Sequence, residues 1–312
     1  MRVGVPLGTR VVDPSDEFCT AEAIAEIAAE AETLGFDALT VTDHPAPHPV
    51  AFVHGAHHAL DPFVSLSVAA VATSTLRLQL NIAVLPYRNP FLLAKAIASL
   101  DVVSGGRVEL GGGTGYLREE FSALGVDFDE RNRLTDEALE VVRLAWSGDP
   151  VEFVGRHFRA DGVESRPRPV QMPHPPIWIG GNSWRAIRRA VQYGYGWLPV
   201  PTRPSEGRGL RSAAIDSYDE LARRIEYAKA YASETGRTEP LEIAFYPDRW
   251  GLQDPHQDTS DAGAPAAVVR SAERLRSIGV TALLLTVRAS RRTEHIAKLR
   301  SLARVLPELH GL

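Results

Sequence analysis

The sequence predicts an α/β protein folded as a closed (β/α)₈ barrel in a single domain, residues 1–312, and three features of the chain lead there. Eight short β-rich runs recur along it. Helical patterns separate them, opened by capping residues or proline and closed by glycine. Several of the runs are apolar without alternation, as strands of a parallel sheet must be when helices cover the outside and side chains fill the inside. Eight strands alternating with helices favour closure over an open doubly wound sheet.

The runs are Val3 to Pro6, Ala38 to Thr42, Leu76 to Val84, Val108 to Leu110, Ile177 to Ile179, Gly196 to Val200, Leu241 to Phe245 and Ala282 to Val287. After the first comes "TAEAIAEIAAEAETLGF", in which Thr20 is an N-cap, Ile24, Ile27, Ala31 and Leu34 share one face, and Gly35 stops the helix. After the third, "NPFLLAKAIASLDVVSGG" sets Pro90 in the first turn and ends on Gly105 and Gly106. Before the eighth, Pro265 opens a helix and Gly279 closes it. Two insertions break the rhythm. Residues 147–176 alternate and then turn proline-rich, which predicts a short hairpin and an extended return; residues 246–264 are polar and read as a loop near the barrel mouth.

A chain of 312 residues with 44 % hydrophobic and 23 % charged residues can bury a large core. Its formal net charge of -5 gives no general attraction for nucleic acid or an anionic membrane. No run approaches the ~18 apolar residues of a membrane span, and the N-terminal residues lack a signal-peptide pattern. The lone Cys19 has no internal disulfide partner, which fits a cytoplasmic setting.

Chemistry concentrates after three strands. In "ELGGGTGYLREEF" the third position of a dinucleotide fingerprint is Tyr116 and no Gly-Lys-Ser/Thr follows, so neither phosphate-cradling motif is met. The glycines then serve tight chain geometry, or they let a flat group approach the backbone where a Cβ would collide. In "IWIGGNSWRAIRRA", Gly180, Gly181, Asn182 and Ser183 run into a helix, which makes a phosphate site at its N-terminus or only an N-cap. In "ALTVTDHPAPHP", Asp43 and His44 leave a buried strand at the end where barrel enzymes keep their chemistry; the alternative is a capping aspartate and a packed histidine. His48, His54, His57 and His58 follow, but with neither a Cys pair nor an H-E-x-x-H helix they are read as loop histidines beside a substrate mouth, and no metal is expected.

Over nearly its whole length the chain resembles the luciferase-like monooxygenase superfamily, and within it the single-chain oxidoreductases that use the deazaflavin F420. The most specific stretches are "LPYRNPFLLAKAIASLDVVSGGRVELGGGTGYLREEFSALGVDFDER" and "PPIWIGGNSWRAIRRAVQYGYGW". The resemblance implies a barrel with F420, or alternatively FMN, at its C-terminal face. Gly111, Gly112, Gly113, Thr114, Gly115 and Tyr116 would line the ring and its chain, and Gly180, Gly181, Asn182 and Ser183 would take the phosphate. It further implies that His44, paired with Asp43, acts in proton transfer or substrate polarisation. A non-prolyl cis peptide is expected in the third strand among Asn81, Ile82 and Ala83, and Arg88 and Arg185 are cations for an acidic cofactor tail.

The chain departs from the pattern twice. Some F420 dehydrogenases carry a catalytic Glu directly after the glycine loop, where this chain has Tyr116, with Glu119 and Glu120 further on; many relatives have Gly-Asp-Gly-Trp where this chain has Gly194-Tyr195-Gly196-Trp197. The expected activity is hydride transfer between F420 and a small organic substrate. The alternatives are an FMN monooxygenase and a non-catalytic cofactor-binding barrel. A homodimer is expected through the apolar helices "DPFVSLSVAAVAT" and "PFLLAKAIASLDVV".

Overall fold

The computed structural model describes residues 1–8, 12, 15–49, 57–207, 209, 211–247 and 264–312. The strands are β1 (Arg2–Pro6), β2 (Ala38–Val41), β3 (Arg77–Val84), β4 (Val108–Gly113), β5 (Val151–Val154), β6 (Arg159–Val163), β7 (Ile177–Gly180), β8 (Gly196–Leu198), β9 (Glu242–Phe245) and β10 (Ala282–Leu284). Eight of them close a barrel in the order β1-β10-β9-β8-β7-β4-β3-β2, every neighbouring pair parallel, while β5 and β6 form a separate antiparallel hairpin. The helices are α1 (Ser15–Phe18), α2 (Ala21–Thr33), α3 (Pro62–Ala72), α4 (Pro90–Ser104), α5 (Arg118–Ala123), α6 (Arg131–Ser147), α7 (Trp184–Tyr193), α8 (Pro204–Gly207), α9 (Tyr218–Glu234), α10 (Pro265–Ser277), α11 (Arg292–Ala303) and α12 (Leu306–Gly311). No described helix is long and apolar enough to cross a membrane.

The predicted boundaries are reproduced where local chemistry sets them. Thr20 accepts a hydrogen bond from the Ala23 N–H and opens α2; Gly35 leaves it at φ +89°. Asn89 accepts from Phe91 N–H ahead of Pro90, and α4 ends on Gly105 at φ +69°. The strand runs at Gly196 and Ala282 prove shorter than their apolar stretches, because Leu285 and the residues after Leu198 stay buried after sheet pairing stops.

The first insertion is the predicted hairpin. Glu137 of α6 holds its turn by accepting from the N–H groups of Arg156, His157 and Phe158. The return segment is fastened by Asp101 of α4, whose Oδ2 accepts from Val170 and Gln171 N–H. Most of the second insertion, 248–263, lies outside the described residues, as does His54.

The barrel interior is plugged at its N-terminal end. Glu109, 1 % exposed, accepts from Arg2 and Arg77 at 2.8 Å each and from the Trp178 indole N–H at 2.9 Å. A buried carboxylate needs such partners, since leaving it unpaired would cost several kcal/mol. Trp178 fills the space above, and it fits because Gly196 has no Cβ, which would sit 2.3 Å from the indole ring. The barrel interior is thereby filled at its N-terminal end.

Candidate active site

β2 ends at Val41, and Thr42, Asp43 and His44 leave it at the C-terminal face. Asp43 is 3 % exposed and its carboxylate is fully engaged. Arg88 grips it through two hydrogen bonds, of 2.5 and 3.0 Å, and the Val84 N–H at the end of β3 donates to it at 3.1 Å. Arg88 also reaches Asp61, the N-cap of α3, at 3.3 Å. This bidentate pair fixes where β2 and β3 end. Asp43's oxygens hold Arg88 and the Val84 N–H, and His44, expected to pair with Asp43, turns to another carboxylate.

That carboxylate is Glu120. Lying in the first turn of α5 with no exposure, it accepts from the Tyr87 hydroxyl at 2.7 Å, faces His44 Nδ1 at 3.3 Å and accepts from Ala46 N–H at 3.2 Å. Burial and the bond to Glu120 push the Tyr87 hydroxyl far above the ordinary phenol range, so it stays a donor. Around His44 stand His57, edge-on at 4.9 Å, and Tyr116 at 6.0 Å; His57 Nε2 in turn lies 2.9 Å from Thr42 Oγ1. With Nδ1 committed to Glu120, the other ring nitrogen, Nε2, is the one left to meet a ligand. A His oriented by a buried carboxylate is the arrangement used for proton transfer.

The mouth is floored by the β3 bulge. Pairing with β4 shifts register between Leu80 and Ala83, and the Asn81–Ile82 peptide is cis, the non-prolyl bond the resemblance implied. Asn81 Nδ2 donates to the Tyr246 hydroxyl at 2.8 Å, and Ala83 returns to the ladder opposite Gly112. Ile82 lies across two strands. A Cβ on Gly113 would sit 2.0 Å from its Cδ1, and one on Gly180 would sit 3.0 Å from its Cγ2.

The glycine run is therefore required first by protein neighbours. A Cβ on Gly111 would meet the Leu80 carbonyl oxygen at 2.0 Å and one on Gly112 would meet Leu85 at 3.0 Å; Gly115 has φ +74° and faces Phe121. Thr114 is half-buried between them. The chain-geometry alternative thus holds for these positions, and any ligand contact comes in addition to it.

Asn182 is anchored by its side chain. It is 1 % exposed, its amide donates to the carbonyls of Val200 and Ala213 at 2.8 Å, and its Oδ1 accepts from Val200 N–H. The side chain is a latch for the segment after β8, which leaves the backbone N–H as what Asn182 itself offers an anion. Ser183 is the N-cap of α7, accepting from Ala186 N–H at 3.1 Å, and is itself exposed. What this loop offers an anion is the first-turn amides of α7, which have no intrahelical partners. Arg88 and Arg185, expected to serve an acidic tail, both have carboxylate partners, Arg185 pairing with Asp136 at 2.5 Å. Tyr195, standing where many relatives have Asp, lies at the opposite end of the barrel beside Trp178, in a depression of about 510 Å³ lined also by Arg2, Asp37 and Glu109. The departure there does not touch the His44 cluster.

Residues 1–246 match the family model described as luciferase-like monooxygenase. The chain belongs to this family. It is 33 % identical over 229 residues to an uncharacterized protein of Mycobacterium tuberculosis, covering 70 % of this chain and 74 % of that one. It is 31 % identical over 194 residues to an F420-dependent hydroxymycolic acid dehydrogenase of the same organism, covering 61 % and 52 %. Among solved structures, monooxygenase RslO1 of Streptomyces bottropensis superposes with a TM-score of 0.81 at 23 % identity over the full length of both chains. The oxygenating constituent of 3,6-diketocamphane monooxygenase of Pseudomonas putida, in complex with FMN, superposes at 0.75 with 16 % identity, covering 100 % and 98 %. At these identities the structural likenesses establish the luciferase-like barrel and nothing of its chemistry.

Sequence reasoning singled out His44 and Tyr116 and read His57 as a loop histidine beside a mouth, but it missed Glu120 and Tyr87 as companions of His44. The available signal for Glu120 was helix phase, because in "REEF" it stands beside the inward Phe121, but the adjacent Glu119 has the same chemistry and is exposed.

Proposed function

We propose that this luciferase-like barrel is an F420-dependent oxidoreductase acting on a small organic carbonyl or unsaturated acceptor, with His44 as its proton donor and acceptor. The observation that carries the reading is the His44–Glu120 contact at 3.3 Å beside a mouth whose floor strands bear glycine at 113 and 180. The residues suit a planar cofactor with a phosphate. Gly113 and Gly180 keep side chains off the floor next to Ile82, and the α7 amides after Ser183 would take the phosphate. When bound, the deazaflavin supplies or receives the hydride. Glu120 holds His44 by Nδ1, so that Nε2 can give a proton to the acceptor oxygen as it gains charge, or remove one in the reverse direction. Asp43 keeps Arg88 and the end of β3 in place beneath. Lone Cys19 suits a cytoplasmic setting.

The test is a titration of purified apoprotein with F420 and with FMN, each oxidised and reduced. Reduced F420 is expected to bind with the lowest dissociation constant and to be consumed with a carbonyl or unsaturated acceptor. Tight FMN binding without F420 affinity would overturn the assignment in favour of a monooxygenase, and tight binding of either with no turnover of any acceptor would leave a carrier.

The same reading includes a homodimer. Val64 and Val71 on α3 and Leu92 and Val103 on α4 are 61, 83, 69 and 66 % exposed, an apolar face that a second copy of the chain would cover. Light scattering at micromolar concentration is expected to give twice the chain mass; a monomer there removes the claim.

A further inference from the structure

Two amides of β3 face the barrel axis with few protein partners. Side chains alternate along a strand. Arg77 turns inward to Glu109 and Asn81 turns inward to Tyr246, so Gln79, between them, faces the interior as well. Gln79 is 2 % exposed, and among the described residues its amide has no hydrogen-bond partner. Asn81 stands about 6.6 Å further along the strand and is half-buried. It spends one N–H on the Tyr246 hydroxyl, at 2.8 Å; among the described residues its Oδ1 and second N–H have no partner.

The Asn81–Tyr246 bond crosses the barrel. Three strands separate β3 from β9 in either direction round the closed order, so Asn81 and Tyr246, the residue directly after β9, meet across the mouth from opposite walls. Tyr246 packs with Ile82 on the interior core around Trp178 and Leu284. In this contact the Tyr246 oxygen accepts, and its own proton is directed away from Asn81. A buried amide surrenders its bonds to water and is destabilising unless something replaces them. What replaces them at Gln79 lies outside the described polypeptide, which leaves ordered water or a ligand group.

The chemistry offered is that of neutral recognition. Two amides and a hydroxyl supply donors and acceptors, and Glu109 below is already bonded to Arg2, Arg77 and Trp178. A carboxylate or ammonium group placed among them would lose its hydration without gaining a counter-ion from these three side chains. A carbonyl, hydroxyl or carboxamide would exchange one set of hydrogen bonds for another.

We propose that Gln79, Asn81 and Tyr246 form a subsite on the barrel axis for an uncharged hydrogen-bonding group, a carbonyl, hydroxyl or carboxamide, of a ligand entering the mouth. That this ligand is the acceptor or the cofactor of a redox reaction rests on the proposed function. The preference for an uncharged group does not, so the first test uses apoprotein. Ligand-observed NMR titration with cyclohexanone, with lumichrome as a neutral planar imide, and with cyclohexanecarboxylate is expected to show saturable binding of a neutral probe and none of the carboxylate. Asn81→Leu and Tyr246→Phe should each weaken that binding roughly tenfold. Gln79→Met should weaken it too, while raising the melting temperature by about 2 °C, a pairing that an amide holding the fold would not give. F420 titration of the same variants separates the sources of the group: unchanged F420 affinity with a raised KM for cyclohexanone assigns it to the acceptor, and weakened F420 affinity assigns it to the cofactor ring. The subsite is overturned if neither neutral probe binds the wild-type protein, if the carboxylate binds as tightly, or if Gln79→Met melts lower. Wild-type affinity in a folded Gln79→Met/Asn81→Leu double variant, the result if ordered water alone fills the site, overturns it equally. F420 binding alongside such a failure would leave the proposed function standing, and neutral-probe binding without F420 binding would do the reverse.

Discussion

His44→Ala is expected to lower turnover by about 10²- to 10⁴-fold, the range typical of a lost general acid or base, while melting temperature and cofactor affinity change little. The half-buried ring contributes edge contacts with His57 and Tyr116, which are small beside the buried core, so its removal leaves the barrel intact. Glu120→Gln separates orientation from proton transfer. The amide can still face Tyr87 and Ala46, but it no longer offers His44 a charged partner, so the pH profile of turnover should move while binding persists. A stopped-flow assay of His44→Ala showing unchanged turnover would remove His44 from the chemistry; a parallel collapse of stability would make it a packing residue.

The fold was legible in the chain because parallel barrel strands are buried on both sides and leave uninterrupted apolar runs, while Thr20, Pro90, Gly105 and Gly279 mark helix ends by chemistry that needs no tertiary context. His44 was legible for a related reason, since a titratable residue just past a buried strand falls at the catalytic face of any such barrel. The partner of His44 was not. Glu120 is 76 residues away along the chain, and what selects it over Glu119 is its burial under Tyr87 and Ala46, which exists only after β2, β3 and β4 are adjacent. Asp43 and Asn182 show the same limit from the other side. Each side chain is held by distant groups the local sequence does not name, Arg88 in one case and Val200 and Ala213 in the other. Local sequence signals where a side chain stands; its bonds are decided by elements the signal does not contain.

Two neighbouring glycines give the sharpest test of the floor, because an added methyl meets different things. At Gly111 it would lie 2.0 Å from the Leu80 carbonyl oxygen, a backbone atom fixed by the β3–β4 ladder on one side of the bulge. Relief requires moving the bulge itself, so Gly111→Ala is expected to destabilise the barrel by about 3 kcal/mol or more, at or beyond the upper end of typical overpacking costs, and to lower the melting temperature by on the order of 10 °C. At Gly113 the methyl would lie as close to Ile82 Cδ1, which is the tip of a side chain and can rotate away. Gly113→Ala should therefore melt within a few degrees of wild type, yet the displaced Ile82 tip must go elsewhere over the floor and weaken binding of any flat ligand there. Calorimetric melting of both variants, with cofactor titration of Gly113→Ala, reads the two effects apart. Equal melting temperatures for Gly111→Ala and wild type would show that the Leu80 carbonyl does not constrain the loop, and undiminished cofactor affinity in Gly113→Ala would move the ligand off Ile82.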